Sequence, residues 1–375
     1  MTVGLYLSDP ARDSVRTLSA GHYAGRYRII DFTLSNLVNS GIYRIGIVLG
    51  SKYQTLVSHL GSGKDWDLAR KSGGITFFPP YLEDLNEPYP DFERGSNALH
   101  RALLQLSGSK IENVLIVDGS IAYNMDYRPL IEQHETTQAD VTAVYTCRTL
   151  IHSEAPLVFA PELDSRTGRV THINYGISVS AMSGIASKAE HQVLLNTFVI
   201  RKSVLMRLLA NSTRTDIRSF IRYTLAPAVR TIRVLPFEYK GYSAQLLNND
   251  TFFERNMEML SPGHRNALFK GAGNVYTAVR DSSPTNYGTA ASAKNCIIAD
   301  GCKIEGTAEN CVIFRNVHIA PGARVRNCVL QTGTEIMPDA KLDWCITDKN
   351  VIITNGKTLV GAVNYPLYIN DGTII

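Results

Sequence analysis

Two hydrophobic rhythms divide this chain. Over residues 1–260, short apolar runs alternate with amphipathic stretches. Val3 to Leu7, Ile45 to Leu49, Val114 to Val117 and Val141 to Tyr145 are continuous apolar runs, as strands buried on both faces require. Between them, Phe32 to Asn39 sets Leu34, Leu37 and Val38 on one helical face, with Gly41 where a C-terminal cap belongs. Tyr53 to Leu60 and Asn97 to Leu106 are further predicted helices. Strands alternating with helices predict a Rossmann-like α/β sheet. Ligands of such sheets sit beyond the carboxyl ends of the strands, so any chemistry should follow Leu7 and Val117.

The second rhythm lies near the C-terminus. Asn295-Cys296-Ile297-Ile298, Asn310-Cys311-Val312-Ile313, Asn327-Cys328-Val329-Leu330 and Trp344-Cys345-Ile346-Thr347 are versions of one unit. Their cysteines step by 15, 17 and 17 residues. Alongside run aliphatic pairs six residues apart around a Gly or Pro turn: Ile298/Ile304, Ile319/Val325, Ile336/Leu342 and Ile353/Leu359. Six-residue spacing nested in a longer coil is the pattern of a hexapeptide β-helix, in which aliphatic residues stack inward from coil to coil. Residues 176–190 are rich in Ser, Ala and Gly and read as a loose excursion. The segment 261–274 carries Pro262, Gly263, Gly271 and Gly273 and is the expected linker between a first domain, 1–260, and a second, 275–375.

Composition narrows the function classes. The 375 residues fit two domains, and 38 Lys+Arg against 34 Asp+Glu leave a net charge of only +4. That excess argues against nucleic acid and an acidic membrane surface as partners. No apolar run reaches a membrane span, and Met1 to Leu7 is broken at once by Asp9, Pro10 and Arg12, so a cytoplasmic protein is expected. Five of the six cysteines follow residue 290. The repeat puts four of them at equivalent positions, which predicts a ladder of small buried side chains instead of disulfides. Zinc is disfavoured because no CxxC pair exists. Gly61-Ser62-Gly63-Lys64 is not a P-loop, since Asp65 stands where a hydroxyl is needed.

Gly25-Arg26-Tyr27-Arg28-Ile29-Ile30-Asp31-Phe32-Thr33-Leu34-Ser35-Asn36 closely resembles the GKYRIIDFTLSN segment of the glucose-1-phosphate adenylyltransferase (ADP-glucose pyrophosphorylase) family. His59-Leu60-Gly61, Trp66-Asp67-Leu68, Gly73-Gly74-Ile75 and Pro79-Pro80-Tyr81 follow in that family's order, as does Tyr123-Asn124-Met125-Asp126-Tyr127. The resemblance implies a nucleotidyltransferase domain followed by a left-handed parallel β-helix. It also implies descent from an enzyme that joins ATP to glucose 1-phosphate, giving ADP-glucose and pyrophosphate for glycogen synthesis. That reaction needs a phosphate-cradling glycine loop, lysines, and carboxylates for Mg²⁺.

Position by position, the chemistry is missing. After Leu7 the family's G-G-x-G-T-R-L becomes Ser8-Asp9-Pro10-Ala11-Arg12-Asp13-Ser14, without glycine. The family's nearby lysine falls on Leu18. The metal aspartate of S-G-D-H-I-Y falls on Ser120, and that of G-Y-W-x-D-V-G-T on Gln245. The sugar-phosphate lysine falls on Gly176. No catalytic residue, metal or cofactor is therefore expected here, Mg²⁺ being left to a catalytic partner. The reading is a diverged, regulatory-type subunit, similar to the glycogen biosynthesis D-type subunits, joining a catalytic homologue in a heterotetramer. Arg26, Arg28, Arg44 and Lys52 are candidates for an anionic sugar-phosphate effector site. Trp66, Pro80 and Tyr81 could line a residual pocket. Two alternatives stay open: an active, diverged nucleotidyltransferase using Asp118 with Asp126 or Asp250, and a sensor that binds sugar phosphate or nucleotide without turnover.

Overall fold

A computed structural model describes residues 2–7, 18–50, 52–79, 102, 105, 111–177, 189–210 and 216–375. A seven-stranded sheet is built from β1 (Thr2–Leu7), β2 (Arg44–Val48), β3 (Gly74–Phe78), β4 (Asn113–Asp118), β5 (Val141–Thr149), β6 (Glu190–Arg201) and β7 (Val234–Glu238). Its order is β7-β5-β6-β4-β1-β2-β3. All neighbouring pairs are parallel except those of β6, which runs antiparallel to both β4 and β5. The four expected strands are all present. Leu7 lies opposite Asp118 and Val48, so three strands end together at one edge of the sheet.

β4 is buried at every residue because both faces are covered. Val114 and Ile116 join one core with Phe198, Ile200, Leu205 and Phe220. Leu115 and Val117 join the other with Leu34, Leu37, Ile45 and Ile47. Helix α1 (Ile29–Asn39) supplies Leu34 and Leu37, and helix α2 (Gln54–Leu60) supplies Leu56 and Leu60. Gly41 follows α1 with φ 78°, and its N–H donates to the Val38 carbonyl, as a left-handed cap does. Of the expected helix from Asn97 to Leu106, only Ala102 and Gln105 are among the described residues, and both are helical. Ser8 to Arg16 and most of the excursion at 176–190 lie outside them.

The β-helix is as the repeat predicted: three sheets of five short parallel strands each. Ile304, Ile319, Ile336 and Ile353 stack in one inward column, and Ala308, Val325 and Leu342 in another. Cys311, Cys328 and Cys345 form a third and are fully buried. The residue before each ladder cysteine turns the corner with positive φ: Asn295, Asn310, Asn327 and Trp344. The asparagine amides form their own ladder, each donating to the next, and Asn327 ends it on Asp343 Oδ1 at 2.9 Å. Glycine is required where a neighbouring turn fills the space. A Cβ on Gly322 (φ 76°) would lie 2.1 Å from Asp339 Oδ1.

The compact units interleave along the chain instead of meeting at a single linker in 261–274. Residues 1–21, 29–247 and 268–278 form the α/β unit; residues 22–28, 248–267 and 279–375 form the β-helix unit. Helix α3 (Asn249–Glu258), capped by a reciprocal Asn248–Thr251 box, belongs with the second, because Phe253 packs with Val312, Phe314, Val329 and Ile346. Part of the expected linker is helix, Pro262–Phe269. A hydrophobic face of the β-helix thus recruits residues that the hydropathy pattern assigned to the first domain. No helix among the described residues is long and apolar enough to cross a membrane.

Candidate functional site

The site lies where β1 and β4 end. β4 closes on Asp118, Gly119 turns the chain, and a short strand, Ile121–Tyr123, pairs antiparallel with Ser243–Gln245. Gln245 lies opposite Ile121, and the Leu246 N–H donates to the Ser120 carbonyl at 3.0 Å. Two positions 125 residues apart in sequence are therefore adjacent in space: Ser120 and Gln245, each 2% exposed. They are the two positions at which the sequence comparison expected metal carboxylates.

Asp118, two residues before Ser120, is a buried carboxylate already engaged by hydrogen bonds. Its Oδ1 accepts the Ser120 N–H at 2.8 Å, and its Oδ2 accepts the Asn196 amide at 2.7 Å. Complete burial pushes its pKa above the usual carboxylate range, partly offset by these hydrogen bonds. Asn196 reaches it because β6 bulges between Leu194 and Thr197, with Asn196 at φ 49°. Asparagine tolerates that conformation better than most residues. No sequence pattern announced Asn196, since a bulge leaves no periodic signature.

Mg²⁺ does not fit this corner. Ser120 and Gln245 bring neutral oxygens, and Asp118 is held by two N–H donors. Gln245 Nε2 and Asn196 Oδ1 are buried without a protein hydrogen-bond partner, and the Ser120 side chain lies against Asp118, so the corner is rich in uncharged polar atoms and poor in free carboxylate. The other proposed carboxylates are elsewhere engaged or elsewhere placed. Asp126 holds Arg128 through both oxygens, which keeps its pKa low. Asp250 is exposed in the first turn of α3, in the β-helix unit. No group of three or more His, Cys, Asp or Glu side chains that could hold a metal occurs among the described residues.

The remaining candidates fall as follows. Leu18 opens a turn of 3₁₀ helix, half-buried. Gly176 has φ 78°, and a Cβ there would lie 3.0 Å from the Pro156 carbonyl, so lysine would be strained at this position. Arg26 is exposed over the Tyr27 ring, and Arg28 is buried in the same hairpin, which belongs to the β-helix unit. Arg44 and Lys52 belong to the α/β unit; Lys52 is exposed in the turn before α2. Arg44 lines a cavity of about 380 Å³ with Ser40, Tyr43, Ser72, Gly73 and Ile131. The Arg70 guanidinium stacks 3.7 Å from the Tyr43 ring centre. This cavity opens at the start of β2, the opposite end of the parallel strands from Ser120. Trp66 is buried and meets the His59 ring edge-on; His59 in turn bonds Asp31 at 2.6 Å, also buried. Trp66 therefore sits in a packed core rather than lining an open pocket. Pro80 and Tyr81 lie outside the described residues.

Comparison with known proteins agrees with this architecture. Residues 20–154 match the nucleotidyl transferase family model, and residues 282–364 match the GlmU-like C-terminal hexapeptide model. The chain is 31% identical over 363 residues to the glycogen biosynthesis protein GlgD of Bacillus subtilis, covering 96% of this chain and 91% of that one. It is 30% identical over 310 residues to the glucose-1-phosphate adenylyltransferase of Thermosipho africanus, covering 82% and 72% respectively. The corresponding enzyme of Clostridium perfringens is 27% identical over 314 residues.

Proposed function

The chain belongs to the glucose-1-phosphate adenylyltransferase family, and on that premise we propose that it is a non-catalytic, regulatory subunit serving glycogen biosynthesis. One observation carries the reading. The two positions where the reaction needs metal carboxylates, Ser120 and Gln245, are brought side by side by the pairing of two short strands, and both are neutral. Transfer of an adenylyl group between two anions depends on cations to offset charge at the attacking and leaving oxygens. Ser120 and Gln245 can donate and accept hydrogen bonds but cannot hold Mg²⁺ in their place. Asp118 is a poor replacement, because it stands two residues before the expected position and its complete burial disfavours the ionised form that a metal needs.

The scaffold around this corner is intact: α1, its cap and the strands that end at Leu7 and Asp118 are all retained. A fold kept without its chemistry fits a subunit whose work is assembly. We infer a tetramer with a catalytic homologue, whose conformational equilibrium this chain would bias by binding one state better than the other. Mg²⁺ would serve the partner's site alone.

The test is pyrophosphate release from ATP and glucose 1-phosphate with Mg²⁺, measured on this protein, on a catalytic homologue, and on their mixture. The expected result is no turnover alone, co-elution on mixing, and a changed rate or apparent affinity in the mixture. Turnover by this protein alone would overturn the proposal. A second reading, a sensor for sugar phosphates, is favoured by the Arg44-lined cavity. Calorimetric titration with fructose bisphosphate, glucose 1-phosphate and ATP separates the two. Heat of binding that Arg44→Ala removes, with no effect on a catalytic homologue, would favour the sensor.

A further inference from the structure

The cysteine ladder is not uniform. Cys311, Cys328 and Cys345 are fully buried, whereas Cys296, in the first coil, is only half-buried. The reason is its place in the solenoid. The strand Ile297–Ile298 is the end strand of its sheet, paired only with Val312–Ile313. Cys296 is therefore a rung with one neighbour, and solvent reaches it from the open side.

Its one neighbour is another thiol. Ile297 pairs with Val312 and Ile298 with Ile313, so Cys296 lies directly over Cys311 at the same corner. Asn295 and Asn310, just before them, share the left-handed conformation and are tied Nδ2 to Oδ1 at 2.8 Å. Each thiol donates to the carbonyl two residues back, Cys296 to Lys294 and Cys311 to Glu309, both at 3.1 Å, so both side chains take the same rotation and their sulfurs stack. Neighbouring strands in a sheet run about 4.8 Å apart, inside the Cα separation of ~4.4–6.8 Å that a disulfide spans. Forming the bond requires the two stacked thiols to rotate toward each other, and the first coil is paired in its sheet on one side only.

We propose that Cys296 and Cys311 are a modification site: a stacked dithiol that a low-molecular-weight disulfide, such as glutathione disulfide, converts to an intramolecular disulfide. The Cys296 thiolate attacks one sulfur of the reagent, whose S–S bond breaks and whose first half leaves as a thiolate. Cys311 then attacks Cys296 Sγ and expels the second half. The two protein thiols lose their protons to the two leaving thiolates. The protein is oxidised by two electrons, and the reagent is reduced to two thiols. Cys328 and Cys345 stay out of the exchange because buried sulfur is inaccessible to the reagent. This inference is independent of the catalytic reading.

The test uses the full chain carrying Cys147→Ser, which removes the other half-buried thiol. After incubation with glutathione disulfide, intact mass and peptide mapping should show loss of two hydrogens and a Cys296–Cys311 link. The link should be absent in Cys296→Ser, and dithiothreitol should reverse it. A mixed disulfide that persists on Cys296, an unreacted Cys296, or a link through Cys328 would each overturn the proposal. Thermal melting of Cys296→Ser and Cys296→Ala checks that a missing link does not reflect unfolding.

Discussion

The two halves of this molecule use polar side chains in opposite ways. In the β-helix, polar atoms are satisfied by repetition. Asn295, Asn310 and Asn327 pass one hydrogen bond along the stack, and Asp343 closes it. At the corner of the α/β sheet, Gln245 Nε2 and Asn196 Oδ1 are buried without a protein partner. A solenoid coil meets a near copy of itself above and below, so a polar residue that fits once fits again. The sheet corner is assembled from three distant segments; Asp118 is matched by the Ser120 N–H and the Asn196 amide, while other polar atoms there find no protein partner. Unsatisfied buried groups each cost about 1–3 kcal/mol.

That contrast can be broken most severely by returning a charge to the corner. Ser120→Asp would set a second carboxylate beside buried Asp118 and should cost about 3–5 kcal/mol, read as a lowered urea midpoint. It should not create turnover, because Gln245 is unchanged. Equal stability to the parent would mean that the corner is wetter than its burial implies.

A smaller but sharp effect is expected where the solenoid's repetition is interrupted. Gly322→Ala adds a Cβ 2.1 Å from Asp339 Oδ1 in a left-handed turn. Clash and conformation together should cost about 2–3 kcal/mol, whereas Gly356→Ala, with open space around it, should cost only the ~1 kcal/mol of the backbone.

The α/β unit should also carry an acid sensitivity through one buried histidine, at higher pH than the paired carboxylates Asp300, Glu305 and Asp343 of the β-helix, whose pKa values are lowered. His134 is buried against Thr142, and burial lowers its pKa to about 4. The unfolded chain then binds more protons than the native one between pH 6.5 and about 4. Stability is held above that window and lost as pH falls through it, by an amount on the order of 2 kcal/mol. His134→Gln should flatten the profile over that range in denaturation measured at several pH values. A profile as steep as the parent's would assign the acid loss to other groups.

The mildest change probes the ladder itself. Cys328→Ala removes one buried sulfur and should cost about 1 kcal/mol, while Cys296→Ala, at the open end, should cost less than ~0.5 kcal/mol. Equal costs would show that the first rung is as tightly packed as the third.

Much of this architecture was legible along the chain, for a physical reason. Parallel strands covered on both faces must be continuously apolar, which marked β1, β2, β4 and β5. The stacking of coils imposes a period, which marked the β-helix, its cysteine column and its turns. These are local or translational constraints, and a sequence records them directly. The absence of charge at Ser120 and Gln245 was equally readable, since it is a matter of residue type.

What tertiary structure decided is where distant segments close. The pairing of Ile121–Tyr123 with Ser243–Gln245 brings the two neutral positions together. The bulge at Asn196 turns an amide onto Asp118 and occupies its free oxygen. The segments 22–28 and 248–267 join the β-helix unit although they precede it in sequence. Each depends on contacts between segments that share no period. A carboxylate's availability is set by the donors that surround it, and only the folded chain reveals which those are.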